Sequence, residues 1–242
     1  MKLISKIPAV CASIIEYNIE DFLRSVRQVE GADFIEIRAD GLKVNSPKEY
    51  LSETKRLLNN VKAHSELPVL LTVRTEKDGG VFRGSESERA RVLMESMKLV
   101  DSIDIELRMQ SDMQDEIVKE ARKNRVDIII SYHDFNSTPE VETLLSILEK
   151  EESEGATIAK VAVKANSEKD VLVLLNILQA AKERISIPVI GISLGRKGRI
   201  SRVAAPLLGS IATYGYVNRK TAPGQIEVKK LKEIIELMEL MK

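Results

Sequence analysis

Eight short runs rich in Ile, Val and Ala recur along the chain, and longer stretches with apolar residues every three or four positions separate them. The runs are PAVCASI (8–14), DFIEIR (33–38), PVLLTVR (68–74), SIDIELR (102–108), DIIISYH (127–133), TIAKVAV (157–163), PVIGIS (188–193) and SIATYG (210–215). Continuous apolar runs of this length read as strands buried on both faces, and the stretches between them read as amphipathic helices. PKEYLSETKRLLNNVKAH is entered through Ser46 as N-cap with Pro47 behind it, and SEKDVLVLLNILQAAKERI through Ser167 as N-cap. GQIEVKKLKEIIELMELMK closes the chain as a last helix. Strand and helix alternating in this way build a parallel sheet, because parallel neighbours need a crossover. Eight such units in 242 residues match a (β/α)8 TIM barrel, usually about 250 residues long. The expectation is one α/β barrel domain over residues 1–242, with no linker that would split it. An open doubly wound sheet is the competing fold, but no GxGxxG phosphate turn follows the first strand.

Composition removes several function classes. Lys plus Arg and Asp plus Glu both number 37, giving a formal net charge of zero, so neither nucleic acid nor an anionic membrane is an expected partner. One cysteine, Cys11, cannot form an internal disulfide, and no Cys/His cluster suggests a metal, which points to a reduced, cytoplasmic compartment. The opening MKLISKIPAVCASIIEYN is interrupted by Lys6 and Pro8 and has no convincing cleavage site. No apolar run reaches the ~18 residues of a membrane span. The NST sequon at Asn136 is therefore expected to stay unused.

In a barrel of this kind the active site lies at the C-terminal mouth, and polar residues stand where the strands reach it. The second run ends with Glu36 and Arg38, two apart and so on one face. The third ends at Arg74, the fourth carries Asp104, Glu106 and Arg108, the fifth ends at His133, and the sixth contains Lys160. A lysine set into ATIAKVAVKAN is costly to bury unless paired or employed. One reading is an ion pair inside the barrel, with Glu36 or Glu106. The other is a Schiff-base nucleophile. At a pKa of ~10.4 only about one lysine in 2,500 is neutral at pH 7, and a value near ~8 raises that to about one in ten; burial and nearby arginines push in that direction. Lys164, at the strand end, reads as a solvated loop lysine. Of the two histidines, His64 follows a helix and reads as a solvated residue. His133, at the same strand end as Lys160 and one strand before it, reads as a general acid and base.

ADFIEIRADGL, LLTVRTEKDGG, IDIELR, SYHDFNSTP, AKVAV, GRISRVAAPLLGSIATYG and TAPGQI, taken in this order, resemble the type I 3-dehydroquinate dehydratases, a Schiff-base family of the shikimate pathway. The resemblance covers essentially the whole chain. It implies a lyase that converts 3-dehydroquinate to 3-dehydroshikimate plus water, with no metal or organic cofactor because the lysine supplies the electron sink, and it implies a homodimer. It places the nucleophile on Lys160 and the proton shuttle on His133. Ser13, Glu36, Arg38, Arg74, Thr221 and Gln225 fall on substrate-binding positions, and Arg202 on the arginine that takes the substrate carboxylate. Asp78 of KDGG stands where the family often has Glu, as the candidate orienter of the histidine. Thr221 replaces the common Ser, and Leu194 the common Met of the seventh run. The chain begins almost directly at the first strand, so any N-terminal plug of the barrel bottom is short or absent. GYVNRKTAPGQI is expected to be a mobile lid. GISLGRKGRIS also resembles a phosphate cradle, which keeps a sugar-phosphate isomerase or Schiff-base aldolase as an alternative, and a noncatalytic barrel using Lys160 only as an ion-pair partner is the reading from another class.

Overall fold

The structure, a computed structural model, describes residues 2–44 and 46–240. Its described residues contain eight strands: β1 (Ala9–Ile14), β2 (Phe34–Arg38), β3 (Val69–Thr72), β4 (Ser102–Glu106), β5 (Asp127–Asp134), β6 (Ile158–Lys164), β7 (Val189–Leu194) and β8 (Ala212–Tyr216). Between and after them lie α1 (Ile19–Arg27), α2 (Pro47–His64), α3 (Glu86–Ser96), α4 (Ser111–Asn124), α5 (Val141–Ser153), α6 (Glu168–Arg184), α7 (Gly195–Gly198), α8 (Ser201–Leu208) and α9 (Val228–Leu240). Ser46 accepts the Glu49 N–H at 3.2 Å at the start of α2, and Ser167 and Asp170 form a capping box at the start of α6, as the sequence predicts.

The strands pair in parallel in the order β7-β6-β5-β4-β3-β2-β1-β8, so the sheet has run round until its ends meet. That last seam is thin. The Ile211 N–H donates to the Val189 carbonyl at 3.0 Å, and the Ser210 hydroxyl accepts from the Gly191 N–H at 3.1 Å while donating to the Ala212 carbonyl at 2.8 Å. The barrel is nearly closed, with one serine standing in for ladder bonds.

Alternation along each strand sorts side chains between two cores. Ile35, Ile37, Leu71, Val73, Ile103 and Ile105 face outward against the helices, where Phe22 of α1 and Leu57, Leu58 and Val61 of α2 are fully buried. Each such side chain contributes roughly 1.5–3 kcal/mol by burial. Cys11, Phe34, Leu70, Ile129, Ile158 and Ile190 face inward and fill the lower barrel, joined by Leu3 and Ile4. The Asp127 carboxylate holds that N-terminal plug by accepting the N–H groups of Lys2 and Leu3 at 2.6 and 3.0 Å. The plug is two residues deep. Above this apolar layer the inward positions turn polar, which leaves the reactive groups at the mouth on an incompressible floor.

Two strands stop earlier than the sequence predicts. β3 ends at Thr72 and β4 at Glu106, so Arg74 and Arg108 are loop residues. The loop that follows β3 captures the Arg74 backbone, the Phe82 N–H donating to its carbonyl at 3.1 Å, and a tight turn closes β4 through Met109 N–H to Glu106 O at 2.9 Å.

Candidate active site

Strand register brings the inward polar residues together. Ser13 pairs with Glu36, Thr72 with Asp104, Glu106 with Ser131, Ser131 with Lys160 and His133 with Ala162. Ser131, His133 and Lys160 therefore share one face of adjacent strands. His133 and Lys160 open into a cavity of about 50 Å³ that Glu36, Arg38, Arg74, Asp78, Arg202, Thr221 and Gln225 also line. The structure thus gathers every one of the site residues read from the sequence, Ser13 through its hydrogen bonds to Glu36 and Thr221.

Lys160 is 4% exposed. Its ammonium donates to Asp104 Oδ2 at 2.8 Å, so its ion-pair partner is neither Glu36 nor Glu106. Register sets Glu106 level with Lys160 through Ser131, but two arginines already hold Glu106, and the Lys160 side chain reaches Asp104, which lies lower on β4 and pairs with Thr72. Arg74 donates to Asp104 Oδ1 at 2.9 Å and to Glu106 Oε1 at 3.0 Å, and Arg89, reaching in from α3, takes the other Glu106 oxygen. Burial alone would raise the Asp104 carboxyl, but Arg74 and then Lys160 outweigh it and hold it well below the usual carboxylate range. Buried acidic and basic side chains alternate along this chain of contacts, each the hydrogen-bonded partner of the next.

Glu36 accepts from Thr72 Oγ1 at 2.8 Å and from the Ser13 hydroxyl. Arg38 is held by a bidentate pair to Asp40, both bonds at 2.8 Å. Arg202 differs from the other arginines here. It is 1% exposed, donates only to the carbonyls of Tyr214 and Pro223 at 3.4 and 3.5 Å, leaves its Nε without a hydrogen-bond partner, and has no carboxylate partner among the described residues. Burial pushes its guanidinium down to about 10. A buried cation so poorly matched is prepared for an anion from outside.

His133 is buried, its ring stacked on Phe135 with centroids 6.1 Å apart and planes 9° from parallel. Burial first, then Arg74 and Lys160, push its imidazole well below the usual histidine range against the opposing pull of Asp104. It is therefore neutral at pH 7, able to accept a proton, and its Nδ1 has no hydrogen-bond partner. Asp78 does not supply one. Its side chain is turned into its own 3-10 turn, accepting from Thr75 Oγ1 at 3.1 Å, and faces the Arg108 Nε at 3.3 Å; Arg108 in turn donates to the His133 carbonyl at 3.2 Å. The short carboxylate reaches the backbone of the histidine strand through Arg108, not the ring.

The loop after β8 lies across the cavity. Gln225 folds its side-chain carbonyl onto the N–H groups of Thr221 and Ala222 at 2.7 and 3.1 Å and donates to Thr221 Oγ1 at 2.9 Å. Thr221 Oγ1 lies 2.8 Å from the Ser13 hydroxyl, tying the loop to β1. On the far side Gly224, at φ +85°, brings its Cα so close to Gly195 that a Cβ would stand 2.4 Å from the Gly195 carbonyl. Only glycine permits that approach. Gly198 likewise permits a close approach, since its Cβ would meet the Ser193 carbonyl at 2.4 Å; Gly195 and Gly198 of GISLGRKGRIS provide close turns. His64 is exposed, bonded to the Asn60 carbonyl of its own helix.

Two residues of the site have no role in the sequence reading: Asp104 is named there only among the polar residues of the strands, and Tyr214 not at all. Asp104 carries a signal there, an acid inside an Ile-flanked strand. Tyr214, whose ring lies under the Lys160 ammonium, carries almost none, since a tyrosine in a strand reads as core.

Comparison with known proteins follows this geometry. A family model described as type I 3-dehydroquinase matches residues 10–242. A 3-dehydroquinate dehydratase of Methanococcoides burtonii is 38% identical over 232 residues, covering 96% of this chain and 95% of its own. One of Methanosarcina barkeri is 37% identical over 241 residues, covering 98% and 97%. Among solved structures, a type I 3-dehydroquinate dehydratase from Clostridium difficile with covalently modified comenic acid superposes with a TM-score of 0.91 at 34% identity, over 98% of this chain and 94% of that one.

Proposed function

The chain belongs to the type I 3-dehydroquinase family, and from that premise we propose which of its residues perform the reaction. That reaction dehydrates 3-dehydroquinate to 3-dehydroshikimate in the shikimate pathway, toward aromatic amino acids, through a lysine Schiff base. The observation that carries the assignment is Lys160, the only buried lysine among the described residues, opening into the same cavity as the neutral His133.

His133 takes a proton from the Lys160 ammonium. The freed amine attacks the substrate ketone; the C–N bond forms, the carbonyl π pair moves to oxygen, and His133 returns the proton there. A second pass removes an N–H proton and delivers it to the new hydroxyl, which leaves as water and generates the cationic C=N bond. With that electron sink in place, His133 removes a proton from the neighbouring carbon and gives it to the hydroxyl on the next carbon, so that water departs with the C–O electron pair. Hydrolysis of the imine by water, again with His133 moving the protons, releases product and restores the ammonium.

Around this centre Arg202 takes the substrate carboxylate, which its unmet hydrogen bonds and lack of a carboxylate partner support. Glu36, Arg38, Ser13, Thr221 and Gln225 present oxygens and N–H groups to the substrate hydroxyls. Arg74, already paired at both ends, acts by fixing Asp104 against the lysine. Asp78 acts on the histidine strand through Arg108. The chain from 1 to 242 serves as one catalytic domain without a metal or organic cofactor, and family resemblance supports a homodimer. A cytoplasmic location accords with the lack, among the described residues, of any helix long and apolar enough to cross a membrane. Borohydride reduction with 3-dehydroquinate should leave one adduct on the Lys160 peptide and abolish turnover. An adduct on Lys164 with Lys160 unmodified overturns the assignment.

A further inference from the structure

The floor under the nucleophile is the face of a tyrosine. Tyr214, on β8, is 3% exposed, lines the same cavity, and lies with its ring centroid 4.5 Å from Lys160 Nζ, well inside the ~6 Å range of a cation–π contact. The ring cannot easily turn away. Phe34 meets it edge-on with centroids 6.1 Å apart and planes at 88°, and Arg202 donates to its backbone carbonyl. Its hydroxyl is buried without a hydrogen-bond partner. What this side chain offers the lysine is therefore a π face.

That face matters differently at two stages of the reaction. The ammonium has three N–H groups to place, and Asp104 accepts one of them at 2.8 Å. After condensation the nitrogen keeps one N–H and its positive charge, shared with the former ketone carbon, while the ketone oxygen has left as water. Hydrogen bonding can then satisfy less of the cation, and the flat C=N unit suits a flat π face better than a tetrahedral ammonium does. We propose that the Tyr214 ring is a catalytic residue of this enzyme, stabilising the positive nitrogen of the Lys160 iminium. This rests on Lys160 being the nucleophile.

The test keeps shape constant and changes only the ring's electrons. Tyr214→Phe and a series of increasingly fluorinated phenylalanines at 214 are introduced into the full chain, each is saturated with 3-dehydroquinate, and borohydride quenching measures the ratio of trapped to untrapped Lys160. Tyr214→Phe should keep that ratio within about twofold, because the hydroxyl makes no bond. Successive fluorines drain the π face and should lower the ratio stepwise, reaching about 5- to 30-fold for the perfluorinated ring, the equivalent of ~1–2 kcal/mol of desolvated cation–π attraction. A ring that merely fills space would give a flat series. A flat series with the wild-type adduct on Lys160 overturns this inference and leaves the nucleophile in place; a collapse at Tyr214→Phe overturns it by making the hydroxyl responsible; a wild-type adduct on another lysine overturns both.

Discussion

Replacing Asp104 with Asn removes one charge and almost no volume, and the structure fixes what that does. Asp104 is fully buried and accepts from Lys160 and Arg74 on its two oxygens. After the change Arg74 keeps Glu106, which Arg89 already engages, while Lys160 loses its carboxylate. Breaking a buried pair from one side costs about 3–5 kcal/mol, and the remaining partner Glu106 places this variant at about 3. For a chain of this length that corresponds to a fall in Tm of about 6–12 °C. The pH dependence follows from the depressed carboxyl. Folded Asp104 binds its proton less readily than unfolded Asp104, so its stabilisation is complete above the unfolded value of ~3.9 and drains away as the pH falls toward the lower folded value. Thermal unfolding of both proteins followed by circular dichroism from pH 8 to 3 should show a Tm gap that is flat down to about 5 and narrows below about 4. A gap of only a degree or two at pH 7, or one that widens on acidification, would refute the charge-chain reasoning.

Four further outcomes are expected. His133→Ala should lose about 10²–10⁴ in kcat while still forming some borohydride-trappable imine, since the shuttle goes and the nucleophile stays; near-native turnover would make His133 structural. Because burial keeps its imidazole below the usual range, the unfolded chain binds a proton that the folded one does not as pH drops under ~6.5, so the variant should lose less stability than wild type between pH 7 and 5. Gln225→Ala cuts the bonds that fold residues 221–225 over the cavity and should lower kcat/KM by about 1–3 kcal/mol with the fold intact. In the wild type, hydrogen exchange across residues 215–225 should slow on saturation with substrate; equal exchange with and without it, and unchanged kcat/KM in the variant, would show that this loop is no lid.

The barrel was legible because its signal is repeated eight times and each repeat has the same cause, a strand apolar on both faces. Lys160 and His133 were legible because a polar residue in such a strand contradicts its surroundings. Partners were not. Choosing Asp104 over Glu36 or Glu106 for Lys160 requires knowing that Arg74 and Arg89 already occupy Glu106, one of them from a helix outside the barrel, which no local pattern encodes. The ends of β3 and β4 were overrun because Val73 and Leu107 continue the apolar runs, while the loop after β3 claims the Arg74 carbonyl and a turn onto the Glu106 carbonyl closes β4. Asp78 could be placed near the histidine strand, but its turn onto Thr75 and Arg108 depends on loop geometry one methylene in scale. Tyr214 hid in plain view, because one residue type serves both as core filler and as a π face.

The thin seam beside β8 sets the timetable of folding. β1 at residues 9–14 finds one neighbour early in β2, but its other edge pairs with residues 212–216, about 200 positions later. At ~5–20 residues per second of synthesis, that edge waits roughly 10–40 s for its mate. Meanwhile every added strand extends an open parallel sheet with two adhesive borders. The sheet must therefore cross its most aggregation-exposed interval just before the barrel closes, and Ser210, which ties the incoming β8 to the β7 border, is among the residues whose arrival ends it.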